Sequence, residues 1–327
     1  MPDNIASDEI IKKMNELFFP HFWERKVALR DGPRKLVHYT SAENAVRILT
    51  EKAFIMRSTV CMNDYREVQH GHDLVYRSFM ENDKALLKRF IASFDASHPG
   101  AADDAFNLYD AHYQSNVFRT YVACLSEHDP EKDSMGRLSM WRAYGRGRAG
   151  VALVLNKEPF FRNVPFVGFF ASPVAYLRDK QVQEYLEKVV VSAMKEIEFL
   201  KTLNREQVVN SIFVLLMFSA ICIKHHGFDE EREWRLIYLP GIFKSDLITD
   251  ATLTIDGVPQ PVYKLPLLDR PEKGLTGIEL PALLSNVIIG PTQFPFPISE
   301  ALAGILADAG VPNPYERIHV TNIPLRT

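Results

Sequence analysis

The sequence predicts an α+β fold, a mixed and largely antiparallel sheet core carrying helical insertions. Three observations predict it: a strand–helix–strand unit spans Leu36 to Met56, helical stretches interrupt the chain near 64–116 and 179–224, and from Glu233 onward the pattern turns mostly to strands. Residues 1–35 are expected to form an N-terminal helical extension, and 36–327 a single domain with those insertions. No internal repeat, low-complexity tract or linker divides it.

Each element follows from its own residues. An amphipathic helix is expected near Ser7 to Phe18. Leu36-Val37-His38-Tyr39-Thr40 is a short apolar run ending on a histidine and a hydroxyl. Ser41-Ala42-Glu43-Asn44 reads as a helix start, with Ala45, Ile48 and Leu49 at helical spacing behind it. Phe54-Ile55-Met56 is a second strand, and Asn63-Asp64 a turn or cap. A long helix follows on Val68, Leu74, Val75, Phe79, Leu86, Leu87 and Phe90, broken by His98-Pro99-Gly100, and another helix begins at Asp103. Thr120 to Ser126 reads as a strand, Glu127 to Ser134 as a polar loop, Leu138 to Tyr144 as a short helix and Val151 to Leu155 as a buried strand. Phe166 to Tyr176 is extended, and two helices fill Asp179 to Lys224. Strands at Trp234–Tyr238, Val262–Leu268, Ile278–Leu280 and Val287–Ile289, a helix near Ile298–Ala309 and a strand near Arg317–Val320 complete the chain.

Composition narrows the function classes. With 327 residues, 46% hydrophobic, the chain can bury a substantial core. A net charge of -3 argues against a broadly basic nucleic-acid surface, though not against a local patch. Cys61, Cys124 and Cys222 lack metal-type spacing and suggest a reduced, cytoplasmic protein. Met1 to Ile10 has no apolar core of a secretory signal. The apolar run Ile212 to Ile223 falls short of the roughly 20 residues a spanning helix needs, so a buried core helix and no membrane are expected.

Several motifs compete for chemistry. Gly145-Arg146-Gly147-Arg148-Ala149-Gly150 matches a dinucleotide-binding turn letter for letter. It follows a helix and precedes a strand, the reverse of the order that turn needs. Arg137, Arg142, Arg146 and Arg148 with Trp141 and Tyr144 supply guanidinium groups and aromatic faces for phosphates and bases. The plainer account is a solvated helix face with a core tryptophan. His70-Gly71-His72-Asp73, with Asp64 and Glu67, would chelate from a strand but not from a helix, so no metal is expected. In Glu231-Arg232-Glu233-Trp234-Arg235, strand geometry puts Glu231, Glu233 and Arg235 on one face. Two readings stand for that face: a salt-bridged surface, or carboxylates lining a cleft.

Together these residues resemble the bacterial domain-of-unknown-function family 2971. The resemblance runs through His38-Tyr39-Thr40, Asn63-Asp64 with Glu67, Ser126, Met140-Trp141 with Tyr144 and Gly150, then Lys224 with Glu231 to Arg235. Ile288 to Pro291 and Ile323 to Arg326 close it. A more distant likeness is to ADP-ribosyltransferase folds. That likeness implies NAD as substrate, with His38 on a ribose hydroxyl, the Tyr39 backbone at the nicotinamide amide and Thr40 supporting the turn. It also implies Glu233 stabilising charge at the anomeric carbon, Glu231 orienting the acceptor and Ser126 in support. Tyr39 departs from the glycine usual there. The expected function is an NAD-consuming ADP-ribosyltransferase-like transferase or NAD glycohydrolase, in a defence or toxin role, with a protein or nucleic-acid acceptor. The alternatives are a non-catalytic nucleotide-sensing or nucleic-acid-binding module built on Arg142, Arg146 and Arg148, and a metal-dependent phosphodiesterase.

Overall fold

The computed structural model describes residues 8–62, 67–145, 149–161, 168–255 and 257–324. The first half runs α1 (Asp8–Phe18), α2 (Pro20–Asp31), β1 (Lys35–Ser41), α3 (Ala42–Glu51), β2 (Ala53–Ser58), α4 (Glu67–Asp95), α5 (Ala101–Arg119), β3 (Tyr121–His128), α6 (Leu138–Tyr144) and β4 (Gly150–Leu155). There follow β5 (Phe169–Pro173), β6 (Ala175–Tyr176), α7 (Asp179–Lys195), α8 (Ile197–Thr202), α9 (Arg205–Cys222), β7 (Ile223–Lys224) and β8 (Glu233–Tyr238). The chain closes with β9 (Thr249–Ile255), β10 (Val258–Pro266), α10 (Leu280–Leu283), β11 (Leu284–Ile289), α11 (Pro295–Asp308) and β12 (Ile318–Val320). Two compact units share these elements. One gathers Met1–Val27, Met62–Arg119 and Pro173–Phe228, and the other Ala28–Cys61, Thr120–Ser172 and Asp229–Thr327.

The first unit is helical. Its centre is α9, capped by the Asn204 side chain on the Gln207 amide and buried along Val208, Ile212, Leu215, Leu216 and Ile221. Its 18 residues are long and apolar enough to cross a membrane, yet most of them are packed inside this unit. The long helix α4 lies against it. α4 is interrupted at Glu81, after which Asn82, Asp83 and Lys84 are left-handed, at φ 49°, 53° and 60°. Gly71, the residue between the two histidines of the His-Gly-His motif, sits where α4 crosses α9. A methyl group there would overlap the Ala220 backbone carbonyl, which cannot rotate away. Gly71→Ala is therefore expected to cost about 1–3 kcal/mol, read as a lower midpoint in urea unfolding.

The second unit is a mixed, mostly antiparallel open sheet. Its path is β12-β11-β4-β1-β3-β2-β10-β9, with β8 on β3 and β5 on β8. β11 and β12 pair in parallel, and the ladders of β4, β1, β3, β2, β10 and β9 along this path are antiparallel, as is β8 on β3. On one face, Leu36, Leu125, Leu153, Trp234, Leu236 and Tyr238 pack with α3 and α11 residues into the larger core. On the other, Val37, Tyr39, Ala152, Val154 and Ile288 enclose Met140 and Trp141 of α6. The link from β1 to α3 forms because Ser41 is extended and its hydroxyl accepts the Asn44 N–H at 3.2 Å, while Ala45, Ile48 and Leu49 face the core.

Three sequence expectations change. Asp179 to Lys224 holds three helices, α7, α8 and α9, and ends on β7, rather than two helices. Ile278 to Leu280 is not a strand. The Asp269 carboxylate accepts the N–H groups of Gly277, Ile278 and Glu279, holding a loop that sends Ile278 and Leu280 into the core before α10. The strand β9 was not anticipated, although Asp256-Gly257 between two alternating stretches is a hairpin signal.

Candidate functional site

Strand β3 organises the candidate site because both of its edges are used. One edge pairs with β8 from Tyr121↔Tyr238 to Ser126↔Glu233. The other is shared, with β1 joining at Ser126 to His128 and β2 at Tyr121 and Val122. β1 and β2 therefore fork apart beside Cys124. His38 stands in the fork: its Nδ1–H donates to the Cys124 carbonyl at 2.7 Å, and its ring meets Phe54 edge-on at 5.5 Å. The carbonyl only accepts, so Nδ1 carries the proton. Burial holds this imidazole below its usual value, with the Cys124 bond opposing.

Strand alternation then assigns the faces. Leu36, His38 and Thr40 share the face of Leu125 and Trp234, whereas Val37 and Tyr39 share that of Ser126, Glu233 and Arg235. The side chains of His38 and Glu233 thus project from opposite faces of the sheet. The cleft expected between them from the sequence does not form.

The second face carries the polar constellation. Glu233 and Arg235 are 5% and 1% exposed and joined by Arg235 Nε to Glu233 Oε1 at 2.8 Å and Nη2 to Oε2 at 3.2 Å. Beside them, the turn into β8 is bound from several directions. Ser126 Oγ donates to the Glu231 carbonyl at 2.6 Å, and the Arg137 guanidinium donates to the carbonyls of Glu230 and Glu231. Glu127 N–H donates to the Arg232 carbonyl at 3.0 Å. These bonds hold Arg232 left-handed at φ 44°, a conformation that costs a non-glycine residue about 1–2 kcal/mol. The strained residue lies between the two candidate carboxylates. Glu231 is half-buried at the end of that turn.

The remaining expected residues scatter. Tyr39 is 3% exposed, its backbone is paired with Ala152 of β4, and its hydroxyl accepts the Arg137 N–H at 3.0 Å. Thr40 is buried, and Ser41 makes the turn-supporting bond instead. Arg142 is exposed on α6, but Trp141 beside it is 1% exposed. No base can stack on that indole. Arg146, Arg148, Asn63 and Asp64 lie outside the described residues, as does the side chain of Glu67. His72 donates or accepts at Tyr109 Oη, 2.8 Å away, and stacks among Tyr76, Tyr109 and Tyr113. Among the described residues no group of three or more His, Cys, Asp or Glu is arranged to hold a metal ion.

Two contributors were not picked out from the sequence. Arg137 was noted only as part of the basic segment, and its work is to bind the turn. His128 carries no motif of its own; its one sequence signal is that Cys124, Ser126 and His128 alternate onto one face of β3.

Residues 140–236 match the family described as protein of unknown function, DUF2971. The matched segment begins at Met140-Trp141 and ends on β8, so it contains Glu231, Glu233 and Arg235 but neither His38 nor Ser126. No curated protein and no solved structure matches the chain.

Proposed function

We propose that this chain consumes NAD, as an ADP-ribosyltransferase-like transferase or an NAD glycohydrolase, with the working carboxylate at Glu231. The observation that carries the reading is the left-handed Arg232, bound in place by Ser126, Glu127 and Arg137. Backbone strain that neighbouring groups over-determine is a mark of functional turns. Glu233 is paired with Arg235, so its part is to anchor the turn; half-buried Glu231 is the carboxylate assigned to the ligand in this reading. In the reaction the bond between the ribose anomeric carbon and the nicotinamide nitrogen breaks, and its electron pair leaves with nicotinamide. Glu231 stabilises the positive charge that develops on the ribose, and water or an acceptor hydroxyl or carboxylate then attacks. Depletion of NAD in the cytoplasm suits a defence or toxin effector. His38 serves from the far face, fixing the Cys124 carbonyl at the fork.

A non-catalytic nucleotide-sensing module is the second reading, favoured by the neutralised Glu233. Incubation of the purified protein with NAD separates them. Release of free nicotinamide is expected, and Glu231→Gln should reduce it about 10²-fold with an unchanged melting temperature. Absence of nicotinamide with NAD still bound would leave the sensing module standing.

A further inference from the structure

We propose that His128 and Arg137 form an oxyanion subsite that takes a phosphoryl oxygen of a nucleotide beside the Glu230–Glu231 turn. The inference deepens the NAD reading and rests on it for the nucleotide. His128 ends β3 two residues beyond Ser126, so its side chain lies on the face of Ser126 and Glu233, opposite His38. This face therefore has its own imidazole. His128 is 3% exposed, and its Nδ1 is buried with no hydrogen-bond partner.

Arg137 repeats the pattern. Its terminal nitrogens are spent on the carbonyls of Glu230 and Glu231, and its guanidinium lies 5.9 Å from the centre of the Tyr39 ring. Its Nε is buried without a hydrogen-bond partner. The nearest carboxylate oxygen, Asp133 Oδ2, is 4.0 Å from that Nε and already accepts the Asp129 N–H at 3.0 Å. A buried polar atom left unsatisfied costs about 1–3 kcal/mol; in the proposed subsite one oxyanion oxygen answers both nitrogens, with His128 donating from a protonated Nδ1.

Charge sets the conditions for binding. Burial holds the His128 imidazole below its usual value; Asp133 and Asp129 oppose that shift, and Arg137 and Lys35 add to it. A proton on the ring adds positive charge beside Arg137 and favours an anion. The loop that follows His128 is open to solvent at Pro130, Glu131, Lys132 and Ser134, and the Arg137 side chain is 12% exposed. A trapped water is the rival occupant of the same space.

The test uses the full chain and inorganic sulfate, a phosphoryl mimic whose own charge does not change near neutrality, with ADP-ribose as a second probe. Calorimetry is expected to detect sulfate binding that strengthens as the pH falls from about 7 to about 5 in the parent and stays flat in His128→Gln, since the ring gains its proton below the ordinary imidazole range. His128→Gln should also weaken both probes about tenfold or more. In histidine labelled with nitrogen-15, sulfate should shift the His128 ring resonance of the unaltered protein, a readout that survives if His128→Gln fails to fold. No sulfate binding, or binding that leaves the His128 resonance in place, overturns the subsite and assigns the space to water. Sulfate and ADP-ribose binding through His128 without nicotinamide release would sink the NAD-consuming reading alone. Nicotinamide release with probe binding indifferent to His128 would sink the subsite alone.

Discussion

Glu233→Gln should destabilise the protein by about 3 kcal/mol, because it removes the charge opposite a guanidinium that is 1% exposed. The two hydrogen bonds at 2.8 and 3.2 Å join residues two apart on a single strand, β8. Glutamine keeps an acceptor oxygen but not the charge, and desolvation of Arg235 is then poorly compensated. The measurement is a pair of urea denaturation curves with nicotinamide release assayed on the same samples. A lower midpoint, with turnover falling only in step with the folded fraction, is expected for an anchoring role. An unchanged midpoint with a collapse in turnover would return Glu233 to the chemistry, as the sequence reading had it. Glu233→Leu combined with Arg235→Met should be milder than Glu233→Gln, since it removes both charges of this pair together.

Trp141→Ala should cost about 3–5 kcal/mol, the range for deleting a buried large aromatic side chain. The indole is 1% exposed, meets the Tyr39 ring edge-on at 5.0 Å and donates from Nε1 to the Met135 carbonyl at 3.0 Å. Three glycines are shaped around it. A Cβ at Gly290 would come within 2.7 Å of the indole Cε3, one at Gly150 within 3.1 Å, and one at Gly136 would overlap the ring. Gly290→Ala should therefore be nearly as damaging as the loss of the tryptophan, although it adds only a methyl group. Differential scanning calorimetry on both variants checks this. A midpoint within a degree or so of the parent for either one would contradict the packing described. The last glycine of the G-x-G-x-x-G letters is thus accounted for without any phosphate: Gly150 lies flat against Trp141.

The sequence carried much of the architecture where a pattern was local. Ser41 with Ala45, Ile48 and Leu49 announces α3, and the apolar run through Val151 to Leu155 announces β4, because capping and periodicity are properties of neighbours in the chain. It carried less where a polar side chain far away does the holding, as Asp269 does for Gly277 to Glu279. The candidate site shows the same division. Glu231 and Glu233 stand out as a carboxylate pair at a strand entrance, and Arg235 as a same-face partner at a spacing of two. The left-handed Arg232, and the Ser126 and Arg137 donors that hold it there, have no local signature.

Residue order alone determined that β1 ends in His38-Tyr39-Thr40, that Glu233 and Arg235 share a face, and that α9 is a core helix. Only tertiary structure decided which polar groups meet. Side chains on a strand alternate with a period of two, so one step of register moves a residue to the other face. The register of β1 against β3, Val37↔Ser126, and of β8 against β3, Glu233↔Ser126, sends His38 away from Glu233 and brings His128 to its side. That register is set by packing across a whole sheet, through Leu36, Leu125 and Trp234 in one core and Val37, Tyr39 and Trp141 in the other, and no stretch of sequence contains it.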